Sequence, residues 1–339
     1  MKFFGLCAAS VHGLALNSTI TDDVAPMADP QILVMSKNPP FAIAWPYGAS
    51  EPDIHHYEDF NYNGFYVKQT CSAKLNGRIY LFGGGTSIED PQRQQVARVR
   101  GDITGLDILS TQLPFPMVEH SCAAIRNNWI MLCGTADTVS GEYSHQCNAF
   151  TEDGNGFLWK REPDTNGAHA KSAMVYSSRG YSVIIGGVDG YDSTVVETIH
   201  MREEYSDPQS AAWVQGKALP APIEEHSAVA FDNGRVCVFG GWNDNNFGAT
   251  KITYCIREPW ILGTSSDVWG RRDELVIARR QHRTVLLTSG GHTELFHIGD
   301  SGHKAIEKWS DPNEFFDRWS TKATHGDFYG LQVPEAFII

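Results

Sequence analysis

An apolar strand that runs into glycine recurs through this chain at nearly constant spacing. It reads "RIYLFGGG" at Gly83 and Gly84, "WIMLCG" at Gly134, "YSVIIGG" at Gly186 and Gly187, "RVCVFGG" at Gly240 and Gly241, and "VLLTSGG" at Gly290 and Gly291. Measured between Gly84, Gly134, Gly187, Gly241 and Gly291, the steps are 50, 53, 54 and 50 residues. Upstream of most copies stands a short small-and-apolar strand ending in a turn: "TCSAKLNG", "HSCAAIRN", "SAMVYSSRG" and "HSAVAFDNG". Downstream comes a polar loop, a further strand such as Ala249 to Ile256, and a tryptophan near the close of each unit: Trp159, Trp213, Trp260 or Trp269, Trp309 or Trp319.

A period of about 50 residues with room for four short strands is the pattern of a propeller blade. A twisted sheet of that size has two apolar faces and cannot bury both alone, so such sheets stack around an axis. The glycines then serve packing, because strands converge at the centre and leave little space for side chains.

At "RIYLFGGG", "YSVIIGG" and "HSAVAFDNGRVCVFGGWND" the chain resembles the kelch-repeat family. The likeness covers roughly 66–319. It weakens in the second unit, where Cys133 replaces one glycine, and in the fifth, where the preceding strand is "ELVIA". The resemblance implies an all-β, six-bladed kelch-type β-propeller, with units near 66–116, 117–166, 167–222, 223–270 and 271–322. The sixth blade is expected from the two ends, 323–339 giving two strands and 31–48 giving two more, so that N- and C-terminal strands share one blade.

The first 15 residues, "MKFFGLCAASVHGLA", carry one early lysine, an apolar stretch and small residues at Gly13 and Ala15, as a secretory signal peptide does. A buried N-terminal strand would read similarly. Two features favour export: Asn17-Ser18-Thr19 is a glycosylation acceptor within the short segment 16–30, and loss of Cys7 leaves an even six cysteines. None of the six lies in a Cys-x-x-Cys pair, so disulfides are the economical reading. Cys133 with Cys147 and Cys237 with Cys255 fall on neighbouring strands within a unit; Cys71 and Cys122 stand at like positions on first strands of adjacent units, where a bridge would staple one blade to the next.

The balance of 27 basic against 40 acidic residues gives a net charge of −13, which disfavours nucleic acid and anionic membranes. No apolar run reaches the length of a membrane span. "FGGGTS" and "FGGWND" lack the following helix and the Gly-Lys-Ser/Thr of a phosphate loop. Neither a nucleophile elbow, a His-Glu-x-x-His nor an EF-hand loop is present. "DIHHYEDFNYNG" (Asp53 to Gly64) gathers histidines, acids and aromatics and reads as a solvated connection between blades, with a metal site as the sharper alternative.

One mouth of the channel should collect the loops after the glycines and those leading into each first strand. That face would receive His120, Asp189, Glu225, His226, Trp242, Asn243 and Asp244. Carboxylates, histidines and an exposed indole suit a polar ligand or a protein patch. A histidine at the head of the first strand is also a routine packing element of the kelch pattern. No cofactor is expected, calcium being the ion the acidic loops would suit. The resemblance implies a secreted, non-enzymatic module that binds an extracellular protein or glycan.

Exported propellers similar to this one include sialic acid mutarotases, and a sugar-acid mutarotase is the alternative. It would use Glu225 and His226 as proton donor and acceptor, with Arg279 or Arg280 for a carboxylate. A copper radical oxidase resembling galactose oxidase needs a thioether-forming cysteine, whereas each of the six cysteines left after loss of Cys7 has a disulfide role. Iron-dependent specifier proteins would carry acid, acid and histidine at four-residue spacing, and here Glu203 and Asp207 are followed by Ala211.

Overall fold

The computed structural model describes residues 8–10, 31–37, 40–46, 55–56, 60–65, 67, 70–85, 91–125, 128–136, 143–154, 156–188, 194–200, 212–243, 248–257, 268–272, 274–289, 292–299, 305–310, 320–324 and 335–338. Among them there is no α-helix, and one 3-10 turn lies at Pro91–Gln94. The N-terminal region supplies β1 (Ala8–Ser10), β2 (Gln31–Lys37), β3 (Pro40–Pro46) and β4 (His55–His56). Then follow β5 (Cys71–Leu75), β6 (Arg78–Phe82), β7 (Gln95–Val99) and β8 (Leu106–Gln112); β9 (Ser121–Ile125), β10 (Trp129–Ala136), β11 (Tyr143–Asp153) and β12 (Gly156–Glu162). The next run is β13 (Ala173–Tyr176), β14 (Tyr181–Ile185), β15 (Val196–His200) and β16 (Val214–Gln215). After it come β17 (Ser227–Phe231), β18 (Arg235–Phe239), β19 (Trp242–Asn243), β20 (Gly248–Ala249), β21 (Thr253–Arg257) and β22 (Gly270–Arg271). The chain closes with β23 (Arg283–Ser289), β24 (His292–Ile298), β25 (Ala305–Ser310), β26 (Ser320–Thr324) and β27 (Glu335–Ile338).

Four sheets are separate and four-stranded: β5-β6-β7-β8, β17-β18-β21-β22, β23-β24-β25-β26 and β27-β2-β3-β4. A nine-stranded sheet runs β12-β11-β10-β9-β1-β13-β14-β15-β16. It consists of two antiparallel runs joined by β1, whose Ala9 pairs in the parallel sense with both Cys122 and Met174. β1 also lies near β5, β17 and β23, on the axis around which the first strands are arranged. The arrangement is a β-propeller.

Turn chemistry explains the hairpins. Asn76 and Gly77 both hold positive φ, 49° and 78°, as a two-residue turn between right-twisted strands requires. The glycine doublets do a different job. Gly240 donates across its own sheet to Ile252 O at 2.8 Å, and Gly241 donates to Arg279 O of the next unit at 2.7 Å. Gly83 and Gly84 repeat this toward Gln95 and Met117, and Gly186 and Gly187 toward Val195 and Ile223. A Cβ on Gly240 would stand 2.6 Å from Arg279 O, and one on Gly241 would meet Ile223 and stand 2.7 Å from Glu224 O. The doublet is the seam between neighbouring sheets.

The core lies between sheets. Tyr80 and Phe82 pack with Phe150 across one such interface, where Phe82 meets Phe150 edge-on at 5.3 Å. Outer strands are tied by indoles: Trp159 Nε1 donates to Thr111 Oγ1, Trp213 Nε1 to Pro163 O and Trp269 Nε1 to Lys217 O. Each bond crosses to the preceding unit. Disulfides join Cys71 to Cys122, Cys133 to Cys147 and Cys237 to Cys255. They fit an oxidising compartment.

Three expectations need correction. "VLLTSGG" belongs to the first strand of its sheet: β23 and β24 pair as a hairpin with Ser289 opposite His292, so Gly290 and Gly291, outside the described residues, fall between those strands. The glycine that follows the second strand is Gly299, at φ 83°. "ELVIA" forms no strand, because Val276 and Ile277 donate their amides to the Glu307 carboxylate. The described part of "DIHHYEDFNYNG" is only partly solvated: His55 and His56 form β4 against Ala44 and Ile43, and Phe60 and Tyr62 join a core with Leu33, Met35 and Leu81, while Asn61, Asn63 and Gly64 are exposed.

The closing sheet also differs in its make-up. Among the described residues it takes one strand from the C-terminus and three from the N-terminus in the order β27-β2-β3-β4, so β2 and β3 stand second and third where third and fourth were expected, and β4 is the edge beside β3. Ile32 pairs with Ile338 and Val34 with Ala336, so the two ends of the chain still share a sheet.

Candidate functional site

Each loop leading into β9, β13, β17 and β23 ends in a residue with left-handed backbone that is not glycine. These are Glu119, Lys171, Glu225 and Gln281, with φ of 55°, 55°, 55° and 53°. Their backbones form a chain around the channel mouth: Lys171 N donates to Glu119 O at 2.7 Å, Glu225 N to Lys171 O at 2.9 Å, and Gln281 N to Glu225 O at 2.9 Å. A left-handed non-glycine residue costs about 1 kcal/mol or more. Glycine would relieve that strain, yet four polar side chains are placed there.

Those side chains form one network. Gln281 Nε2 donates to Glu225 Oε1 at 2.8 Å, and an Arg280 guanidinium nitrogen lies 3.6 Å from Glu225 Oε2. Lys171 Nζ lies 3.4 Å from Glu224 Oε2 and 4.0 Å from Glu225 Oε1. Burial pulls the Lys171 ammonium down, but Glu224, Glu119 and Glu225 outweigh it and hold its pKa above the usual lysine value. Burial raises the Tyr143 phenol, Lys171 opposes the rise, and Glu119 and Glu224 add to it. The three carboxylates are buried; Lys171, Arg280, Tyr143 and Trp242 are partly exposed.

Two ribbons stand at this mouth. β19 and β20 pair Trp242 with Ala249 and Asn243 with Gly248, outside the four-stranded sheet that flanks them. Trp242 and Glu224 exchange backbone bonds of 2.7 and 3.0 Å, which fixes the ribbon to the collar. The Arg280 guanidinium carbon sits 4.4 Å from the Trp242 ring centroid. The second ribbon is the far end of β10 and β11, which continue past an irregularity at Cys133/Thr135 to pair Ala136 with Tyr143. Thr135 Oγ1 both donates to Val118 O and accepts from Val118 N, holding it beside the collar.

The histidines lie deeper. His120 and His226 are buried, and neither ring nitrogen of His120 has a hydrogen-bond partner among the described residues. Burial depresses His120 to about 3, aided by the nearby Arg283 charge. Burial likewise takes His226 to about 4, against the opposing effect of the Ile185 carbonyl. At the same position of the next unit, His282 Nε2 meets Ser227 Oγ at 2.7 Å. These rings pack between sheets.

Of the residues expected at the mouth, the structure brings Glu225 and Trp242 together, with His226 beneath and Asn243 buried at the ribbon base. Asp189, Asp244 and Asn17 lie outside the described residues. Arg279 is consumed by a wholly buried ion pair with Glu307, leaving Arg280 as the mouth arginine. Lys171, Tyr143 and Gln281 were missed. For Lys171 and Gln281 the signal was positional: Glu119, Lys171, Glu225 and Gln281 follow one another at steps of 52, 54 and 56 residues, each just before a strand head. Among the described residues no group of three or more His, Cys, Asp or Glu side chains could hold a metal ion.

Fold and site together define a β-propeller with a polar mouth flanked by two aromatic-bearing ribbons. No protein-family model matches the chain, and no curated protein matches it. Among solved structures it is similar to one described as "Structure of YjhT", with a TM-score of 0.61 and 12% identity over 83% of this chain and 90% of that one. At that identity the likeness is one of fold alone.

Proposed function

We propose that this protein is an exported, six-bladed kelch-type propeller that acts as a non-enzymatic binding module, with the collar face as its ligand surface. The blade count reads the nine-stranded sheet as two blades bridged by β1, beside four separate ones. Export rests on the leader-like residues 1–15, and the three disulfides support it; β1 lies within those residues, so cleavage would remove the strand that joins the two blades and leave them as separate four-stranded sheets. The observation that carries the ligand surface is the Trp242–Arg280 stack on a ribbon that the repeat does not need. An indole and a guanidinium held together at a concave mouth are the residue types on which binding energy concentrates.

The test is binding of the secreted, non-reduced protein to cell surfaces and glycan arrays, with Trp242→Ala alongside. Loss of binding by at least about tenfold, with an unchanged melting temperature, is expected. Binding unaffected by Trp242→Ala would place the ligand elsewhere.

A sugar-acid mutarotase is the second reading, favoured by one observation: Glu225 and Arg280 lie 3.6 Å apart at the mouth. His226 is a poor proton shuttle for it, being buried and held neutral. Anomer exchange of a sugar acid followed by NMR, fast with the protein and slow with Glu225→Gln, would favour this reading over a purely binding role.

A further inference from the structure

We propose that the space between the two ribbons is a binding site for a neutral saccharide, with Tyr143 and Trp242 as its walls and Lys171 and Arg280 as its donors. The inference rests on the reading of the collar face as the ligand surface and narrows the ligand class. Glu224 ties the two walls to one place. It exchanges backbone bonds with Trp242, and its carboxylate lies 3.4 Å from Lys171, whose neighbour Ala170 packs with Val118 against Tyr143. Lys171 therefore stands between the ribbon of β19 and β20 and that of β10 and β11.

The charge balance selects the ligand. Among the described residues Glu119, Glu224 and Glu225 face Lys171 and Arg280, so three carboxylates against two cations leave the site slightly negative. A phosphate, a sulfate or a sugar acid gains little there, because each cation already has a carboxylate beneath it. Lys171, Arg280, Tyr143 and Trp242 are each partly exposed, while the three carboxylates are buried. Hydroxyl and ring oxygens accept from such donors without adding charge, and the C–H face of a pyranose packs on an aromatic ring. The Arg280 guanidinium, 4.4 Å over Trp242 and near Glu225, is held in a fixed orientation before any ligand arrives.

The test is a glycan array and calorimetry with neutral oligosaccharides and their uronic and sialic acid counterparts, at low salt and at high salt. The proteins are wild type, Tyr143→Ala, Trp242→Ala and Lys171→Met, each first matched to wild type by melting temperature. Where Tyr143→Ala lowers that temperature, Tyr143→Leu keeps the bulk without the aromatic face. The expected result is binding of a neutral saccharide that salt barely changes and that each of the three variants weakens tenfold or more. A preference for the acidic sugars that salt abolishes would overturn the neutral class. Loss with Trp242→Ala but not with the Tyr143 variants would overturn the two-walled site while leaving the collar face as the binding surface. Glycan binding that none of the variants alters would overturn both, and absence of glycan binding would overturn the saccharide while leaving a protein ligand at the same face to be read by Trp242→Ala on cell surfaces.

Discussion

Arg279 and Glu307 form an ion pair from which solvent is wholly excluded, with Nε 3.1 Å from Oε1. Glu307 also accepts the amides of Val276 and Ile277, and Arg279 donates to Gly299 O at 2.6 Å. The pair thus ties the loop before β23 to the third strand of the same sheet. Removing the cation alone should be severe: Arg279→Met is expected to destabilise by about 3–5 kcal/mol, because it leaves a buried carboxylate without its counter-charge. Adding Glu307→Gln should recover part of the loss, since the amide oxygen still accepts. Urea unfolding of both variants measures this, and a double variant weaker than the single one would contradict it.

Stability should fall as pH drops from about 6.5 toward 5. His120, His226, His282 and His297 are buried, and burial holds all four pKa values below the usual histidine value. Above 6.5 the rings are neutral in both states and the full stability is present. Below it the unfolded chain takes up protons that the folded chain refuses, until the folded values, about 4 for His226 and about 3 for His120, are reached. Each histidine contributes a slope of up to about 1.4 kcal/mol per pH unit. Equilibrium unfolding at stepped pH reads the slope, and His226→Gln should flatten it; stability constant from pH 7 to 5 would refute the assignment.

The disulfide between units should matter more than those within them. Cys71 and Cys122 close a sequence separation of 51, against 14 for Cys133–Cys147. Loop-closure entropy then gives about 4 kcal/mol for the first and about 3 for the second. Paired serine substitutions compared by thermal unfolding test the order, and equal losses would argue against it.

Deleting residues 336–339 should open the ring. It removes the partners of Ile32, Leu33 and Val34, and Leu33 is fully buried. A fall in melting temperature of about 10 °C, or loss of secretion, is expected. A truncated protein secreted and melting like wild type would show that the terminal sheet does not hold the ring.

How much of this was legible follows from where the local code is strong. "SAVAFDNGRVCVFGG" announces two strands, a turn and a seam, and the structure supplies each of them, because alternation, turn residues and glycines agree there. The fifth unit misled because Gly290-Gly291 reads like a seam doublet, while the strands on either side of it, β23 and β24, pair with each other as the first and second of their sheet. β4 was hidden by its polarity, since "HH" between acids carries no strand signal and is placed by pairing with Ile43 and Ala44. Trp242 was visible as a residue the repeat does not require, and Glu225 as a carboxylate in a loop that leads into a first strand. Lys171 was not, because nothing local marks "AHAKSAM"; only its place beside Glu119 and Glu225 in the ring gives it meaning.

The bonds from Lys171 to Glu119, from Glu225 to Lys171 and from Gln281 to Glu225 are all made by main-chain atoms. A glutamate, a lysine and a glutamine therefore occupy one geometry without disturbing it. Architecture and chemistry are separable at this rim: the frame that aims the side chains is main chain, so residues as different as these share it, and they can be exchanged where each buried charge keeps a partner. A mouth built in this way can acquire a new specificity by point substitution alone, and the same feature makes it a natural place to engineer one.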